Sequence, residues 1–265
     1  MTSSYSTLSL TVEGPVAHIE LSQPDTRNAF DDVVIAELTN VFAEAGAMSQ
    51  VRAVVLGASG PAFCAGANLH WMRRMADYTR EENLADASKL AAMLRTIAEC
   101  RKPTIARVQG DVYAGGVGLV AACDVAVSVE SAAFCLSEVR IGLVPATISP
   151  YVIRAMGARA AQRYFLTAER FSAAEAHRIG LVHEVVASAD ALDSKVAELV
   201  KAFAGCSPAA ITACKQLLRD VAGRPIDDAL VAHTVEGIAD IRASAEGKEG
   251  VQAFLQKRKP SWLAT

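Results

Sequence analysis

Phe63-Cys64-Ala65-Gly66-Ala67 and Ala114-Gly115-Gly116-Val117-Gly118 are two runs of small residues that each interrupt a strand-like stretch. The first follows Ala53-Val54-Val55-Leu56. The second follows Thr104-Ile105-Ala106-Arg107-Val108 and opens a predicted helix. Short β-branched runs closed by glycine read as strands, and the small residues bring bare backbone to a surface. N–H groups fixed at a tight turn or a helix N-terminus are pre-aimed donors for a developing negative charge. Further on, Glu138 stands in the otherwise apolar Phe134-Cys135-Leu136-Ser137-Glu138-Val139. Two donors for an oxyanion and one acid/base group are the least that chemistry through an enolate needs.

Outward from these runs the chain alternates strand and helix. Leu8–Val12 and Val16–Leu21 alternate in polarity around Glu13-Gly14-Pro15, the pattern of a hairpin. Helix-period residues run from Ala29 to Ala45, and a long helical stretch from Leu69 to Cys100 breaks near Tyr78-Thr79. Further strands are predicted at 104–108, 124–129 and 133–136, so the core is mixed α/β. After Pro145 the pattern turns helical. Ser149-Pro150 and Ser207-Pro208 read as N-caps followed by proline, and Ser172 with Glu175 as a capping box. Gly180 stops that helix before the strand-like Leu181–Val186, and from Asp190 everything reads as amphipathic helix. No internal repeat or low-complexity linker interrupts the chain.

Composition narrows the function. The 265 residues are 52% hydrophobic and 21% charged, which predicts a large core, and the net charge of −3 carries no nucleic-acid footprint. Lys257-Arg258-Lys259 is an isolated basic cluster, read as a solvated helix end or a local phosphate contact. Met1–Ser9 has no secretory pattern and no apolar stretch has membrane-spanning character, so a cytoplasmic protein is expected. The six cysteines show no C-x-x-C spacing and read as reduced and buried, with no metal expected. Cys64, beside the first glycine turn, is a candidate nucleophile.

Gly115-Gly116-Val117-Gly118 lacks the spacing of a dinucleotide fingerprint, and no phosphate-binding P-loop is present. The order of motifs does resemble one family, the crotonase (enoyl-CoA hydratase/isomerase) superfamily. The matching residues are Pro24…Arg27-Asn28-Ala29-Phe30, Ala62–Leu69, Lys102–Ala106…Gly110, Ala114-Gly115-Gly116…Cys123-Asp124, Phe134…Glu138…Gly142–Pro145, Leu166–Ala173…Gly180–Val182 and Phe254–Pro260. The resemblance implies an α/β fold: a spiral of ββα units over residues 1–200 and a C-terminal α-helical trimerisation region over 201–265. It implies an acyl-CoA thioester as substrate, coenzyme A entering only as part of it, and a homotrimer or dimer of trimers with neither nucleic acid nor membrane as partner.

Carried onto this sequence, the resemblance makes the backbone N–H groups of Ala67 and Gly115 the oxyanion donors and Glu138 the acid/base group. Arg27, Ala65, Ala67, Asn68, Leu69 and His70 would line the coenzyme A end, with Gly115 and Gly116 beneath the thioester. Phe254 and Lys257 would reach the nucleotide from the C-terminal region, and Thr147 would shape the acyl end.

The chain departs from the best-known hydratases at three places. Gly118 stands where those enzymes carry a second glutamate, so Glu138 would work alone; its structural alternative is an ion pair with Arg140. Pro145-Ala146-Thr147-Ile148-Ser149-Pro150 replaces a glycine-rich turn, so that bulk from Ile148 and the hydroxyls of Thr147 and Ser149 are expected to reshape the acyl end, and a hydroxyl there or a carboxylate on the substrate itself to hold the attacking water. Asn68 replaces the usual Asp. In these features, and in Leu69-His70-Trp71-Met72, the chain resembles bacterial methylglutaconyl-CoA and isohexenylglutaconyl-CoA hydratases of leucine or acyclic terpene breakdown. Their substrates carry a second carboxylate, for which His70, Arg73, Arg74 and Arg140 are candidate partners. Three activities stay open beside hydration: isomerisation of a 3-enoyl-CoA, non-catalytic acyl-CoA or RNA binding, and serine hydrolysis, for which no G-x-S-x-G is present.

Overall fold

The N-terminal hairpin opens the structure, a computed structural model describing residues 5–263. β1 (Leu8–Glu13) and β2 (Val16–Leu21) pair antiparallel around Gly14, whose φ of +55° suits glycine. α1 (Asp32–Ala47) begins later than its periodicity suggested. Asp31 caps it, accepting from the N–H groups of Val33 and Val34 at 3.0 and 3.1 Å. β3 (Ala53–Ala58) and β4 (Ala62–Cys64) follow, then α2 (Leu69–Ala76) and α3 (Arg80–Ala98). The break between these helices falls at Tyr78-Thr79 as read, because Thr79 and Glu82 form a reciprocal capping box.

β5 (Thr104–Val108) and β6 (Asp111–Tyr113) lead into α4 (Gly115–Ala122), and β7 (Val125–Val129) and β8 (Ala133–Cys135) follow it. After a 3-10 turn at Glu138–Ile141 come α5 (Ser149–Thr167), β9 (Phe171–Ser172), α6 (Ala173–Arg178) and β10 (Glu184–Val186). Four α-helices follow among the described residues, α7 (Ala189–Gly205), α8 (Pro208–Val221), α9 (Asp228–Ala243) and α10 (Ala245–Leu255), and then a 3-10 turn at Ser261–Leu263.

The strands divide between two sheets. One has the order β1-β2-β3-β5-β7-β10 and the other β4-β6-β8-β9; apart from β1/β2 and β8/β9, every pair is parallel. β3 is buried along its whole length, as a parallel strand covered on both faces must be. The second sheet corrects the sequence reading. The glycine runs leave β4 and β6 directly, not β3 and β5, and three-residue strands are too short to show a period of two.

Two caps differ from expectation. Ser149 is the first residue of α5, not its cap, and its hydroxyl donates to the Ala146 carbonyl at 2.8 Å. Ser172 does cap α6, but the Glu175 carboxylate turns to Tyr164 and Arg178, so only half of the box forms. Ser207 caps α8 as read, accepting from Ala210 N–H.

α7 packs on the large sheet through Leu192 and Val196. α8, α9 and α10 pack on one another and bury only Lys215, Leu230 and Ala253. Lys215 ties α8 to the body by pairing with Asp124 and donating to the Lys102 carbonyl at 2.9 Å. Val235, Ile238, Val251, Phe254 and Leu255 remain exposed. No single helix among the described residues is long and apolar enough to cross a membrane.

Candidate active site

β4, β6 and β8 are neighbours in the small sheet and run parallel, so their carboxyl ends lie side by side. Adjacent strands are about 4.8 Å apart. The residues emerging from these three ends are Ala65–Asn68, Ala114–Gly116 and Leu136–Glu138, the three groups singled out in the sequence. Ligand sites on parallel sheets form at such carboxyl ends because every loop there faces the same way.

In the first loop the outer amides are spent. Ala65 N–H donates to Arg27 O at 3.0 Å and Asn68 N–H to Phe30 O at 3.0 Å. Ala67 N–H has no acceptor among the described residues. Gly66 sits at φ +90°, and a Cβ there would lie 3.1 Å from Ala114 Cβ, so the two loops touch. Asn68 caps α2, its side-chain oxygen accepting from His70 N–H at 2.8 Å, a task that needs no charge.

In the second loop Ala114 adopts φ +47° and ψ −120°, a conformation an alanine rarely takes, held by its N–H donating to Cys135 O at 2.8 Å. Gly115 and Gly116 are then the first residues of α4, and their N–H groups have no acceptor among the described residues. Both positions demand glycine. A Cβ on Gly115 would meet the Phe30 ring at 2.2 Å, and one on Gly116 would meet Cys64 Cβ at 2.9 Å.

Glu138 starts the 3-10 turn beyond β8. Burial pushes its carboxyl above the usual range, against the pull of its own main-chain amide. Its Oε2 is buried with no partner among the described residues. The ion pair with Arg140 is not formed; that guanidinium donates to the Ala168 carbonyl at 2.6 Å instead. A half-buried carboxyl with one buried, free oxygen, on the loop next to unspent backbone donors, is equipped for proton transfer.

The space beside Gly118 is closed. A Cβ there would lie 2.2 Å from Ile148 Cγ2 and 2.7 Å from Ile148 Cβ, and Ile148 is buried. The missing side chain is therefore replaced by apolar atoms from the start of α5, which packs on both α4 and the Glu138 turn. The Ser149 hydroxyl is already engaged with Ala146, while Thr147 is half-buried and its hydroxyl has no protein partner among the described residues.

Arg27, in the left-handed region at φ +53°, joins the site through its carbonyl rather than its exposed side chain. Leu69 and His70 are exposed on the first turn of α2. Phe254 and Lys257 are exposed near the end of the helical region, and no hydrogen bond or ion pair among the described residues links them to the three loops. Cys64 is not a nucleophile: burial pushes its thiol up to about 12, so it stays protonated at neutral pH. Cys206 and Cys214 are exposed, contrary to the reading of the cysteines as buried. Sequence reasoning assigned nothing to Asn28. Its buried amide accepts from Gln23 N–H and donates to Ser59 O and Ala62 O, tying the N-terminal segment to β4. The approach of the Phe30 ring to Gly115 was equally out of reach, and Ile148, expected as bulk at the acyl end, instead packs on Gly118; both contacts join distant segments.

The pattern of the enoyl-CoA hydratase/isomerase family matches residues 11–264, and the chain belongs to that family. The crystal structure of an enoyl-CoA hydratase from Shewanella pealeana superposes with a TM-score of 0.94 at 44% identity, covering 97% of this chain and 96% of that one. An enoyl-CoA hydratase of Alternaria alternata is 32% identical over 241 residues, 89% of this chain and 77% of the relative. A peroxisomal Delta(3,5)-Delta(2,4)-dienoyl-CoA isomerase of Arabidopsis thaliana is 28% identical, covering 97% of each chain.

Proposed function

We propose that this enzyme hydrates a 2-enoyl-CoA thioester, with Glu138 as the sole acid/base group and the Ala67 and Gly115 amides as the oxyanion hole. The observation that carries the reading is that two unspent N–H groups and a half-buried carboxyl, whose Oε2 is buried without a partner among the described residues, follow the neighbouring carboxyl ends of β4, β6 and β8. Ionised Glu138 takes a proton from water as its oxygen bonds to C3. The C2–C3 π electrons move toward the thioester, whose oxygen gains charge and is met by the two donors. The proton on Glu138 then passes to C2, and the thioester carbonyl re-forms. Removing one donor of this kind typically costs about 2.7–4 kcal/mol of barrier.

A second reading is favoured by Ile148. With apolar atoms where a second acid would stand, Glu138 can take a proton from C2 of a 3-enoyl-CoA and return it to C4, an isomerisation that needs no water. Turnover in ¹⁸O-labelled water separates the two. A hydratase places the label at C3 of a 2-enoyl-CoA. Conversion of a 3-enoyl-CoA with no label taken up by any 2-enoyl-CoA overturns the first reading and establishes the second.

A branched glutaconyl-CoA ester is the proposed acyl group. Of the candidate cations, Arg74 pairs with Asp32 and Arg140 donates to Ala168, which leaves His70 and Arg73 for a second carboxylate. The backbone from Arg27 to Phe30 and residues 65–70 would receive coenzyme A, and Thr147 would face the acyl end. The exposed apolar residues of α9 and α10 support a homotrimer or dimer of trimers, in which Phe254 and Lys257 would reach a nucleotide. Light scattering that finds only monomer at micromolar concentration overturns this assembly.

A further inference from the structure

We propose that Phe30 is the positioning residue for both oxyanion donors, its main chain setting one and its ring the other. The inference rests on the reading of the Ala67 and Gly115 amides given above. Phe30 forms an isolated parallel bridge with Ala67, donating to Gly66 O at 2.9 Å and accepting from Asn68 N–H at 3.0 Å. In a parallel bridge the residue whose two neighbours make the bonds turns its own N–H and C=O to the other side. The bridge therefore uses the amides flanking Ala67 and leaves the Ala67 N–H facing away from Phe30.

The side chain of the same residue addresses the other donor. Its ring is buried and lies so close to the Gly115 Cα that a Cβ there would come within 2.2 Å of Cζ and 2.8 Å of Cε1. Trp71 backs the ring at 6.0 Å between centroids, with its indole N–H aimed at Asp86 of α3 at 3.3 Å. The ring is thus wedged between α2 and the first residue of α4. Donors act on a developing oxyanion only when spaced for it, and one residue holding both sets that spacing without a direct bond between the two loops. Phe42 in α1 is a core phenylalanine buried to the same degree and serves as the packing control.

Difference infrared spectroscopy of bound butyryl-CoA, ¹³C-labelled at the thioester carbonyl, tests this without turnover. Two polarising donors lower the carbonyl stretch of the bound thioester in the wild type. Phe30→Ala should bind butyryl-CoA and lose most of that shift, Phe30→Leu should keep part of it, and Phe42→Leu should keep all of it. In turnover, Phe30→Ala should lower kcat about 10²-fold, the cost of a misplacement near 1 Å, with little change in KM. Gly115→Ala should reduce the shift less when combined with Phe30→Ala than alone, since the added methyl then meets no ring.

If wild type binds butyryl-CoA with no carbonyl shift, the oxyanion reading fails and the inference falls with it. If wild type shifts the carbonyl and Phe30→Ala shifts it equally, the inference alone is overturned. A shift lost to the same extent in Phe42→Leu would also overturn it, by showing a general effect of loosened packing.

Discussion

The two sheets of this molecule divide its work. The six-stranded sheet holds the longer strands, with β3 buried along its whole length, and contributes core residues such as Ile19, Leu56 and Ile105. The four-stranded sheet is built from strands of two or three residues and could hardly stand alone, yet all three proposed catalytic groups leave its carboxyl ends. Burial in one sheet stabilises the fold; register in the other places two amides and a carboxyl. Substitutions in the two regions should therefore separate stability from turnover.

The largest effect belongs to the small sheet. Glu138→Gln keeps shape and removes basicity, and turnover should fall about 10²–10⁴-fold. The same change should stabilise the protein at neutral pH. Because burial raises the Glu138 pKa above its unfolded value, the native state holds the proton more tightly, and stability falls as pH climbs from the ordinary carboxylate range through the raised value. Thermal melts across that range should show a pH-dependent loss in the wild type that is smaller in the variant. Equal slopes would mean that Glu138 ionises in the fold as easily as in the unfolded chain. The acid limb of kcat/KM should likewise lie above the ordinary carboxylate value.

The large sheet should answer in the opposite way. Leu56→Ala in β3 empties fully buried space and should cost about 2–5 kcal/mol in denaturant unfolding. Its kcat per folded molecule should match wild type. A kcat loss of the size seen for Glu138→Gln would show that the two sheets are not separable.

Gly118→Ala probes the seam between α4 and α5. Its methyl would meet Ile148, and overpacking of this kind costs about 1–3 kcal/mol. Made in an Ile148→Ala background, the same change should cost less, which a double-mutant cycle of melting measurements would detect. Additive costs would place the strain elsewhere.

The smallest effect is expected at Asn68. Asn68→Ala removes the cap of α2 and should cost about 1 kcal/mol, while Asn68→Asp should keep the cap and add a favourable charge at the helix N-terminus. Melting temperatures in the order Asp above or equal to Asn, and both above Ala, would show that the neutral residue serves the helix.

Much of this was legible in the chain. The hairpin, α1, the break at Tyr78-Thr79, β5, β7 and the Ser207 cap follow from alternation, helical period and local capping chemistry, all of which act within a few residues. The two glycine runs and Glu138 could be singled out for similar reasons, as bare backbone after strands and as a carboxylate in an apolar run. Ser149 shows where local reading fails: its sequence fits a cap, but the turn beneath it directs the hydroxyl to Ala146.

What the sequence by itself determined was the alternation of elements, written in composition and spacing along the chain, and, through the resemblance of its ordered motifs, the family; it also singled out the two glycine runs and Glu138 as candidates. What only the tertiary structure decided was their meeting. The small sheet sets three carboxyl ends side by side, Phe30 bridges one loop while seating the next, and Ile148 fills the space beside Gly118. These contacts join segments far apart in the chain, and their geometry comes from close packing, in which a methyl or a ring excludes any other occupant of the same space.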